Sequence, residues 1–310
     1  MRGFSREFEP NRIALAPSAL TAILHGLMPA PPTDARSFSA RVARIEPCGA
    51  DAFRLELDVD LPPIRASRFF MLRRESPAGA PIIPRPYSIY RQRPGRIEFL
   101  IQRLGPGSAA LLDAEIGSEV RAIGPLGNGW PGLEPRPEPL VLLAGGVGSA
   151  PFPLLVDQLL SGFGGAPAFN PSDVHFLFGA RSRDRLYDLE ALKALPVPFH
   201  AATQDGSWGF HGHGLELLEH LQQTEVLPER VRLLACGPEP MLEAVERLAL
   251  ERGYPTWLSL ESYMGCGVGI CNGCPVPTRE GGPMDAWPNA KCCVEGPVFP
   301  VEAVDLAALH

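Results

Sequence analysis

The chain has 310 residues, of which 45% are hydrophobic and 20% are charged. This composition suits a globular protein of two or three domains and excludes a disordered chain. The formal net charge of −7 gives no basic footprint for binding nucleic acid.

The first 37 residues predict an extension outside the folded domains. Their most apolar window, residues 13–30, is interrupted by Pro17 and His25, so it does not read as a membrane span. A signal peptide is one alternative. A mobile or surface-docked helical extension fits the acidic residues before the window better, and residues 29–32, with three prolines, would then act as a stiff spacer.

Residues 38–133 predict a small antiparallel β-barrel. Short β-like stretches occupy residues 52–59, 69–72 and 96–102, and glycine and proline residues separate them. This spacing is typical of a barrel whose strands are joined by tight turns.

Two motifs in the predicted barrel suit a flavin dinucleotide. Arg85-Pro-Tyr-Ser-Ile89 offers a cation for phosphate, an aromatic ring and a hydroxyl, and Gly105-Pro-Gly-Ser108 adds backbone N–H groups. The plain alternative is that Arg85 is a surface charge and Tyr87 the edge of a core.

A proline-rich segment divides the chain. Residues 131–139 have proline at every second position from Pro135 onward, which is incompatible with a helix or a central strand. The segment therefore predicts an extended linker between the barrel and the next domain.

Residues 138–253 predict an α/β domain with a parallel sheet covered by helices. Apolar strands alternate with helical segments, which is the pattern of such a sheet. The predicted strands are residues 140–144, 174–178, 198–203 and 231–235, and the predicted helices are residues 151–161, 188–195, 213–223 and 239–252.

A glycine-rich turn, Gly145-Gly-Val-Gly-Ser-Ala-Pro151, connects the first of these strands to a helix. Free N–H groups and the positive end of the helix dipole suit a pyrophosphate there, although such turns also occur for tight packing alone. The turn lacks the G-x-G-x-x-G order of the standard dinucleotide fingerprint. Cys236 and Gly237 follow the fourth strand at the same sheet edge, where Cys236 would contact a nicotinamide or simply be buried.

Charges after the second strand leave the choice between NAD and NADP open. Arg181, Arg183 and Arg185 lie near the expected position of an adenosine ribose and would suit a 2′-phosphate. Asp184 and Asp188 oppose that interpretation because they would repel the same group.

Four cysteines in the last segment, Cys266, Cys271, Cys274 and Cys293, have the C-x4-C-x2-C…C spacing of plant-type 2Fe-2S ligands. Neighbouring glycines let backbone N–H groups approach the sulfurs. A four-cysteine zinc site usually uses two C-x2-C pairs, and disulfides suit small secreted chains better. The spacing therefore predicts an iron–sulfur domain over residues 254–310, with zinc and disulfides as alternatives.

The remaining cysteines and the local charge refine this prediction. Cys292 is an alternative fourth ligand, whereas Cys48 is expected to pack as a small apolar residue. The odd cysteine count without paired spacings indicates a reducing, cytoplasmic compartment. Residues 255–310 carry two basic and six acidic side chains, which would steer a basic partner or merely form a solvated surface.

These motifs occur in the order of the ferredoxin–NADP reductase superfamily. R-P-Y-S and G-x-G-S are followed by the glycine-rich turn and by C-G-P-x-P-M from Cys236 to Met241. The stretch from Ser259 to Cys274, with Cys293-Val-Glu-Gly-Pro-Val-Phe299, resembles the electron-transfer subunits of NAD-dependent dihydroorotate dehydrogenases. The resemblance covers residues 38–306.

The resemblance implies that FAD, a 2Fe-2S cluster and NAD are the cofactors. It implies a hetero-oligomer, expected as a heterotetramer, with an FMN-containing dihydroorotate dehydrogenase catalytic subunit of pyrimidine biosynthesis. Electrons from dihydroorotate would pass through the cluster and FAD to NAD, so NAD is favoured over NADP. No side chain of this chain is expected to act as acid, base or nucleophile, and His211 and His213 are expected to face solvent.

The resemblance also assigns site residues. The cluster falls to Cys266, Cys271, Cys274 and Cys293, with Cys293 favoured over Cys292 because of the motif that follows it. The residues expected around FAD are Arg85, Pro86, Tyr87, Ser88, Leu100, Ile101, Gln102, Gly107 and Ser108. The residues expected around NAD are Gly145, Gly146, Gly148, Cys236 and Gly237.

The chain departs from the family pattern at several points. Ala66-Ser-Arg-Phe69 stands where Pro-Gly-Gln-Phe is usual, Ser108 where threonine is common, and Glu295 where aspartate is common. The loop between Cys274 and Cys293 is also longer than expected. These departures affect the identity of the partner more than the cofactor content.

Other functions share parts of this pattern. Reductases of aromatic-ring oxygenases carry a longer appended ferredoxin, whereas subunits of sulfhydrogenases and electron-bifurcating transhydrogenases share the whole architecture. A zinc-stabilised, non-catalytic scaffold is the alternative from another class. A visible spectrum separates it from the others, because flavin and iron–sulfur clusters absorb visible light and zinc does not.

Overall fold

Six antiparallel strands close into a barrel in the computed structural model, which describes residues 34–75 and 81–309. The strands are β1 (Arg36–Pro47), β2 (Ala52–Asp58), β3 (Phe69–Arg74), β4 (Arg85–Arg93), β5 (Arg96–Gln102) and β6 (Glu119–Leu126); helix α1 (Pro106–Leu112) precedes β6. Their order around the barrel is β1-β2-β5-β4-β3-β6. The predicted antiparallel barrel is confirmed.

Alternating side chains build the barrel core. In β2, Leu55 and Leu57 are buried while the residue between them is partly exposed, as the two-residue period of a strand requires. Phe70 packs edge to face against Phe38 and Phe99, with ring centroids 6.0 and 5.9 Å apart. Such aromatic pairs stabilise a core beyond the area that they bury.

Two segments that flank the barrel bear on the sequence predictions. Strand β1 begins at Arg36, two residues before the expected domain boundary, whereas the expected helical extension before residue 34 lies outside the described residues.

Residues 131–139 form neither helix nor strand, as their prolines predict. Arg232 holds this segment by donating from Nη1 to the Glu134 carbonyl at 2.8 Å.

A seven-stranded sheet follows the linker. Its strands are β7 (Leu140–Gly145), β8 (Val174–Ala180), β9 (Phe199–Thr203), β10 (Phe210–His211), β11 (Arg232–Cys236), β12 (Thr256–Ser259) and β15 (Val298–Pro300); β13 (Pro275–Pro277) and β14 (Asn289–Lys291) form a separate hairpin. The order in the sheet is β10-β9-β8-β7-β11-β12-β15. All pairs are parallel except β12 with β15. The predicted parallel α/β architecture is confirmed.

Four helices accompany the sheet, and each lies within two residues of its predicted bounds. They are α2 (Phe152–Ser161), α3 (Leu189–Lys193), α4 (Gly214–Gln223) and α5 (Glu239–Arg252). Helices α2 and α5 end at Gly162 and Gly253, whose φ angles of 72° and 65° suit a left-handed cap. No helix in the described part of the chain is long and apolar enough to cross a membrane.

The C-terminal segment is built into the α/β sheet. Strands β12 and β15 both belong to residues 254–310, and they extend the sheet beyond β11. Arg279 Nη2 donates to Glu246 Oε1 of α5 at 2.6 Å, so the loop between Cys274 and Cys293 is also tied to a helix. The cysteine-bearing loops are therefore carried on a rigid support.

Candidate functional site

The four motif cysteines come together as two pairs. Cys274 Sγ lies 3.3 Å from Cys293 Sγ, and the Cys271 amide donates to Cys266 Sγ at 3.4 Å. Cys266 and Cys293 are close enough to interact electrostatically, which brings the two pairs into one neighbourhood. Cys274 and Cys293 are buried, whereas Cys271 is exposed.

Hydrogen bonds favour the thiolate form in each pair. Burial opposes ionisation of Cys266, but amide donors from Cys271 and Val268 outweigh it and lower its pKa to about 7. The contact with Cys293 lowers the pKa of Cys274 to about 6 and raises the pKa of Cys293 itself, because the two sulfurs share a proton. Iron binding needs deprotonated sulfur, so this environment suits a metal cluster.

The adjacent cysteines 292 and 293 have different surroundings. Cys292 is fully buried, and its thiol points to the carbonyl of Leu260 at 3.6 Å. Its amide donates to the Cys274 carbonyl at 2.9 Å. Thus Cys293 is the member of the doublet whose sulfur faces another motif cysteine.

The two sulfur pairs match the way in which a 2Fe-2S cluster divides its ligands. Across the described residues, no group of three or more His, Cys, Asp or Glu side chains is arranged around a single ion site. A 2Fe-2S cluster places two cysteines on each iron, and the pairs Cys266 with Cys271 and Cys274 with Cys293 match that division. The donor set therefore fits the cluster.

The cysteine loop rests on the barrel. Gly267 has φ +73°, and a methyl group at its Cα would stand 2.5 Å from Met71 Cγ and 3.0 Å from Leu126 Cδ1. Met71 lies opposite Pro86 in the pairing of β3 with β4. Because Pro86 belongs to the flavin motif, the loop that carries Cys266 packs one strand away from the predicted flavin site.

Asn128 fastens the segment after Cys293 to the end of the barrel. Its Nδ2 donates to the carbonyls of Glu295 and Val298, each at 2.7 Å, and its Oδ1 accepts from the Val298 amide at 3.2 Å. Sequence analysis missed this residue, because a lone asparagine after a strand carries no signal about a partner about 170 residues away.

Arg85 lies beside the start of α1. A methyl group at Gly107 would stand 3.1 Å from Arg85 Cγ, so the glycine makes room for the arginine side chain. Arg85 is exposed and donates from Nη1 to the Ile83 carbonyl at 2.9 Å. A neutral carbonyl does not neutralise the guanidinium charge, so the arginine and the glycine together form a place that fits a phosphate.

Of the other predicted flavin residues, those on β4 are half-buried, and Ser108, Leu100 and Ile101 are buried. Tyr87 and Ser88 are half-buried on β4, and burial raises the pKa of Tyr87 to about 12, so its ring stays neutral. Ser108 is buried; its hydroxyl accepts from the Leu104 amide at 2.9 Å and thus stabilises its own turn. Leu100 and Ile101 are buried in the core, so their side chains are enclosed by the protein.

Gln102 belongs to a polar network between the barrel and the α/β sheet. Its Nε2 donates to Asp51 Oδ2 at 3.0 Å and lies 3.1 Å from the Tyr187 hydroxyl. Arg185 Nη1 also donates to Asp51, at 3.1 Å. Arg185 is therefore paired with a carboxylate of the barrel, which weakens the case for its binding a 2′-phosphate.

The glycine-rich turn and the segment that begins at Cys236, both predicted to bind the nicotinamide cofactor, are in direct contact with each other. A methyl group at Gly148 would stand 2.4 Å from the Cys236 carbonyl oxygen, and one at Gly145 would stand 2.6 Å from Met241 Sδ. The glycine-rich turn therefore packs on the segment after β11 with no space for a side chain at Gly145 or Gly148. Burial raises the pKa of the Cys236 thiol, which stays protonated. Of the three glycines, Gly146 is the one with open space beside it, because a methyl group there would meet nothing within 4 Å.

An acidic cavity of about 660 Å³ is lined by residues after β8 and β9 and by Cys48 and Gly49 of the barrel. Because the strands β8 and β9 are neighbours in the parallel sheet, this cavity lies at the carboxyl edge of the sheet. Its charged lining residues are Arg183, Asp184, Asp188, Glu190 and Asp205. Cys48 also lines it and is half-buried, with a pKa raised to about 12 by burial.

The two histidines singled out in the sequence are on the surface. His211 in β10 and His213 before α4 are both exposed. The amide of His213 donates to Glu216 Oε2 at 2.7 Å, which stabilises the start of the helix. Both lie where sequence analysis placed them, facing solvent.

Comparison with known proteins gives the class and then the family. A structure described as an NADH-dependent reduced ferredoxin-NADP oxidoreductase matches with a TM-score of 0.71 over 87% of this chain and 91% of its own, at 23% identity. The ferredoxin reductase of carbazole 1,9a-dioxygenase matches with a TM-score of 0.58 over 73% of this chain and 68% of its own, at 22% identity. The fold is thus that of the ferredoxin–NADP reductase class of flavoproteins.

The sequence relatives are more specific. The family model of the iron–sulfur cluster binding domain of dihydroorotate dehydrogenase B matches residues 261–305. The electron transfer subunit of dihydroorotate dehydrogenase B (NAD(+)) from Desulforamulus reducens is 31% identical over 85% of this chain and 96% of its own length. That from Shouchella clausii is 34% identical over 73% of this chain and 81% of its own length. The chain belongs to the family of electron transfer subunits of NAD(+)-dependent dihydroorotate dehydrogenase B.

Proposed function

We propose that this chain accepts electrons from an FMN-containing, dihydroorotate-oxidising catalytic subunit and delivers them to NAD in pyrimidine biosynthesis. When bound, the 2Fe-2S cluster passes single electrons and FAD exchanges one or two, which links one-electron transfer to hydride transfer. The observation that carries the proposal is the contact of Gly267 with Met71, because it sets the cysteine loop against β3, the strand paired with the flavin motif on β4.

We propose that Cys266, Cys271, Cys274 and Cys293 hold the cluster. The two sulfur pairs and the amide donors to Cys266 support this assignment. Glycines 267 and 269, both at positive φ, let the loop turn its N–H groups toward the sulfurs.

For FAD, we propose that Arg85 and Gly107 receive the pyrophosphate and that Tyr87 and Ser88 contact the flavin. The support is the close approach of Arg85 to Gly107 and the position of β4 one strand from the cysteine loop. Pro86, Ser108 and the backbone of residues 100–102 would complete the surroundings without contributing charge.

For the nicotinamide cofactor, we propose that Gly145, Gly146 and Gly148 receive its pyrophosphate and that Cys236 and Gly237 contact its nicotinamide end. The contact of Gly148 with the Cys236 carbonyl supports a single site. We propose NAD rather than NADP, because four carboxylates and one arginine line the cavity after β8 and β9 and would repel a 2′-phosphate.

We propose that the catalytic subunit docks over an apolar surface beside the cluster. Tyr263, Val268 and Ile270 are 96%, 42% and 81% exposed, and they flank Cys266 in sequence. An apolar surface of this kind is typical of a protein interface. The acidic charges of the same segment would surround it and aid the approach of a basic partner. We further propose a cytoplasmic location, consistent with seven cysteines in the free form.

The proposal is tested by the visible spectrum and cofactor content of the purified chain, followed by co-purification with the catalytic subunit. We expect flavin and iron in the chain and a stable complex with the dihydroorotate-oxidising subunit. A chain that contains zinc and no flavin would overturn the proposal. A chain with both cofactors that associates with a hydrogenase or transhydrogenase subunit instead would overturn the choice of partner alone.

A further inference from the structure

A buried pair of serines joins the barrel to the α/β sheet. Ser67 Oγ lies 2.8 Å from Ser259 Oγ, and the two residues are 192 positions apart in the chain. Both are almost fully enclosed, with exposed fractions of 0% and 2%. Ser67 belongs to the turn before β3, and Ser259 ends β12. The bond therefore crosses the junction between the barrel and the α/β sheet.

The backbone at Ser67 is in an unfavourable conformation. Its φ of 70° lies in the left-handed region, where the Cβ of a residue other than glycine crowds the following carbonyl oxygen. The turn is held from the sheet side as well: the Ala66 amide donates to Gln158 Oε1 at 2.9 Å, and Gln158 Nε2 donates to the Ile64 carbonyl at 2.6 Å. Strain of this kind persists where the surroundings fix the conformation, and it often marks a functional position.

Ser259 also faces the Cys236 thiol. The two residues are register partners in the parallel strands β11 and β12, so their side chains lie on the same face of the sheet. Cys236 is 3% exposed, so its thiol is enclosed beside the Ser259 side chain. One hydroxyl can donate one hydrogen bond and accept two, so Ser259 can serve Ser67 and Cys236 together.

We infer that Ser67 and Ser259 are positioning residues that hold the Cys236 thiol against the nicotinamide site and fix the barrel relative to the sheet there. The inference rests on the proposed function, in which hydride passes between a flavin on the barrel and a nicotinamide on the sheet. Hydride transfer requires reacting atoms about 3–3.5 Å apart, so a small shift at this junction slows it.

The first experiment measures how accessible the Cys236 thiol is. The purified chain and its S67G and S259A variants are treated with iodoacetamide, and labelling of the Cys236 peptide is followed by mass spectrometry. Glycine accepts the φ of residue 67 without strain, so S67G removes the hydroxyl and keeps the turn. We expect Cys236 to react about three- to tenfold faster in both variants, the range expected for loss of one hydrogen bond.

The second experiment measures flavin reduction by NADH in a stopped-flow instrument. We expect the rate constant to fall about three- to tenfold in S67G and in S259A, with little change in the dissociation constant of NADH. Because both hydroxyls act through one chain of contacts, the S67G/S259A double variant should be no slower than the slower single variant. Ser161→Ala, at the exposed end of α2, is the matched control and should behave as wild type in both experiments.

The outcomes separate this inference from the proposed function. If the wild-type flavin is not reduced by NADH, the proposed function fails. If NADH reduces it but the variants match the wild type in both experiments, the positioning role is wrong. Additive losses in the double variant, or variants that lose thermal stability while the reduction rate stays unchanged, would assign the serine pair to stability instead.

Discussion

The doublet of Cys292 and Cys293 shows how one residue decides the cluster assignment. We expect C293S to lose iron and acid-labile sulfide, because Cys293 contacts Cys274 at 3.3 Å. We expect C292S to retain both, because its side chain points to the Leu260 carbonyl, with which a serine hydroxyl can also bond. Iron analysis of the two purified variants is the measurement. Loss of the cluster in C292S and retention in C293S would reverse the assignment.

Arg85 offers a second test at the level of one residue. Removing its guanidinium in R85A should weaken FAD binding by about 1.5–3 kcal/mol, roughly ten- to a hundredfold, because a charge-assisted bond to phosphate is lost. The flavin retained after dialysis is the measurement. Arg41→Ala, an exposed arginine on β1, serves as the control, and equal flavin retention in both variants would remove Arg85 from the phosphate site.

The motif residues themselves could be predicted from the sequence, since spacing and short motifs are local. The roles of Asn128 and Ser67 could not. Each depends on a contact with a residue more than 160 positions away in the chain. The left-handed backbone conformation of Ser67 is also not indicated by the sequence. Similarly, the arginines after β8 looked equivalent in the sequence, whereas Arg185 is paired with Asp51 of the barrel.

The contact between the cysteine loop and the barrel can be tested with two matched glycines. In G267A, the new methyl group would stand 2.5 Å from Met71, whereas in G281A it would meet nothing within 4 Å. The φ angles are 73° and 72°, so both variants have the same backbone penalty of roughly 1–2 kcal/mol. We expect G267A alone to lose cluster content and electron transfer to dyes that accept from the cluster. Equal behaviour of the two variants would show that the packing is unimportant.

Stability at acidic pH can be tested on the stacked pair of His175 in β8 and His200 in β9, whose rings are 5.9 Å apart. Burial lowers the pKa of both, and the neighbouring His200 lowers that of His175 further. Since the unfolded value is about 6.5, the unfolded chain binds more protons below that pH, and the free energy of unfolding falls as the pH drops through about 6.5. Above about pH 6.5, protonation of the histidine pair does not change the free energy of unfolding.

Thermal unfolding between about pH 7.5 and pH 5.5 measures this effect. H200F should keep the ring stack and lose less stability on acidification than the wild type does, whereas H211F at an exposed position should follow the wild type. The same loss of stability in H200F and wild type would contradict the role of the pair.

The helices of the α/β domain were predictable from their own periodicity, but the short strands at the far edge of its sheet were not. The predicted helices lie within two residues of those observed because each has a buried face and a glycine or proline near an end. Strands β12 and β15 have only four and three residues. They become strands by pairing with β11 and with each other across the sheet, which a local pattern cannot reveal.

At the scale of the whole molecule, the order of the sites matches the order of electron transfer. The cysteine loop lies against β3, the flavin motif occupies the adjacent β4, and the glycine-rich turn meets Cys236 at the edge of the neighbouring sheet. A sequence gives the order of motifs along the chain, and the family resemblance gave the chemistry. Only the folded structure shows which of these motifs lie next to each other in space.

The most direct measurement is dihydroorotate-dependent formation of NADH by the purified chain, with and without the dihydroorotate dehydrogenase catalytic subunit from the same source. We expect the chain alone to oxidise NADH with ferricyanide but not to oxidise dihydroorotate, and the mixture to reduce NAD at the expense of dihydroorotate. Dihydroorotate turnover by the single chain, or an associated mixture that oxidises dihydroorotate but forms no NADH, would contradict the account.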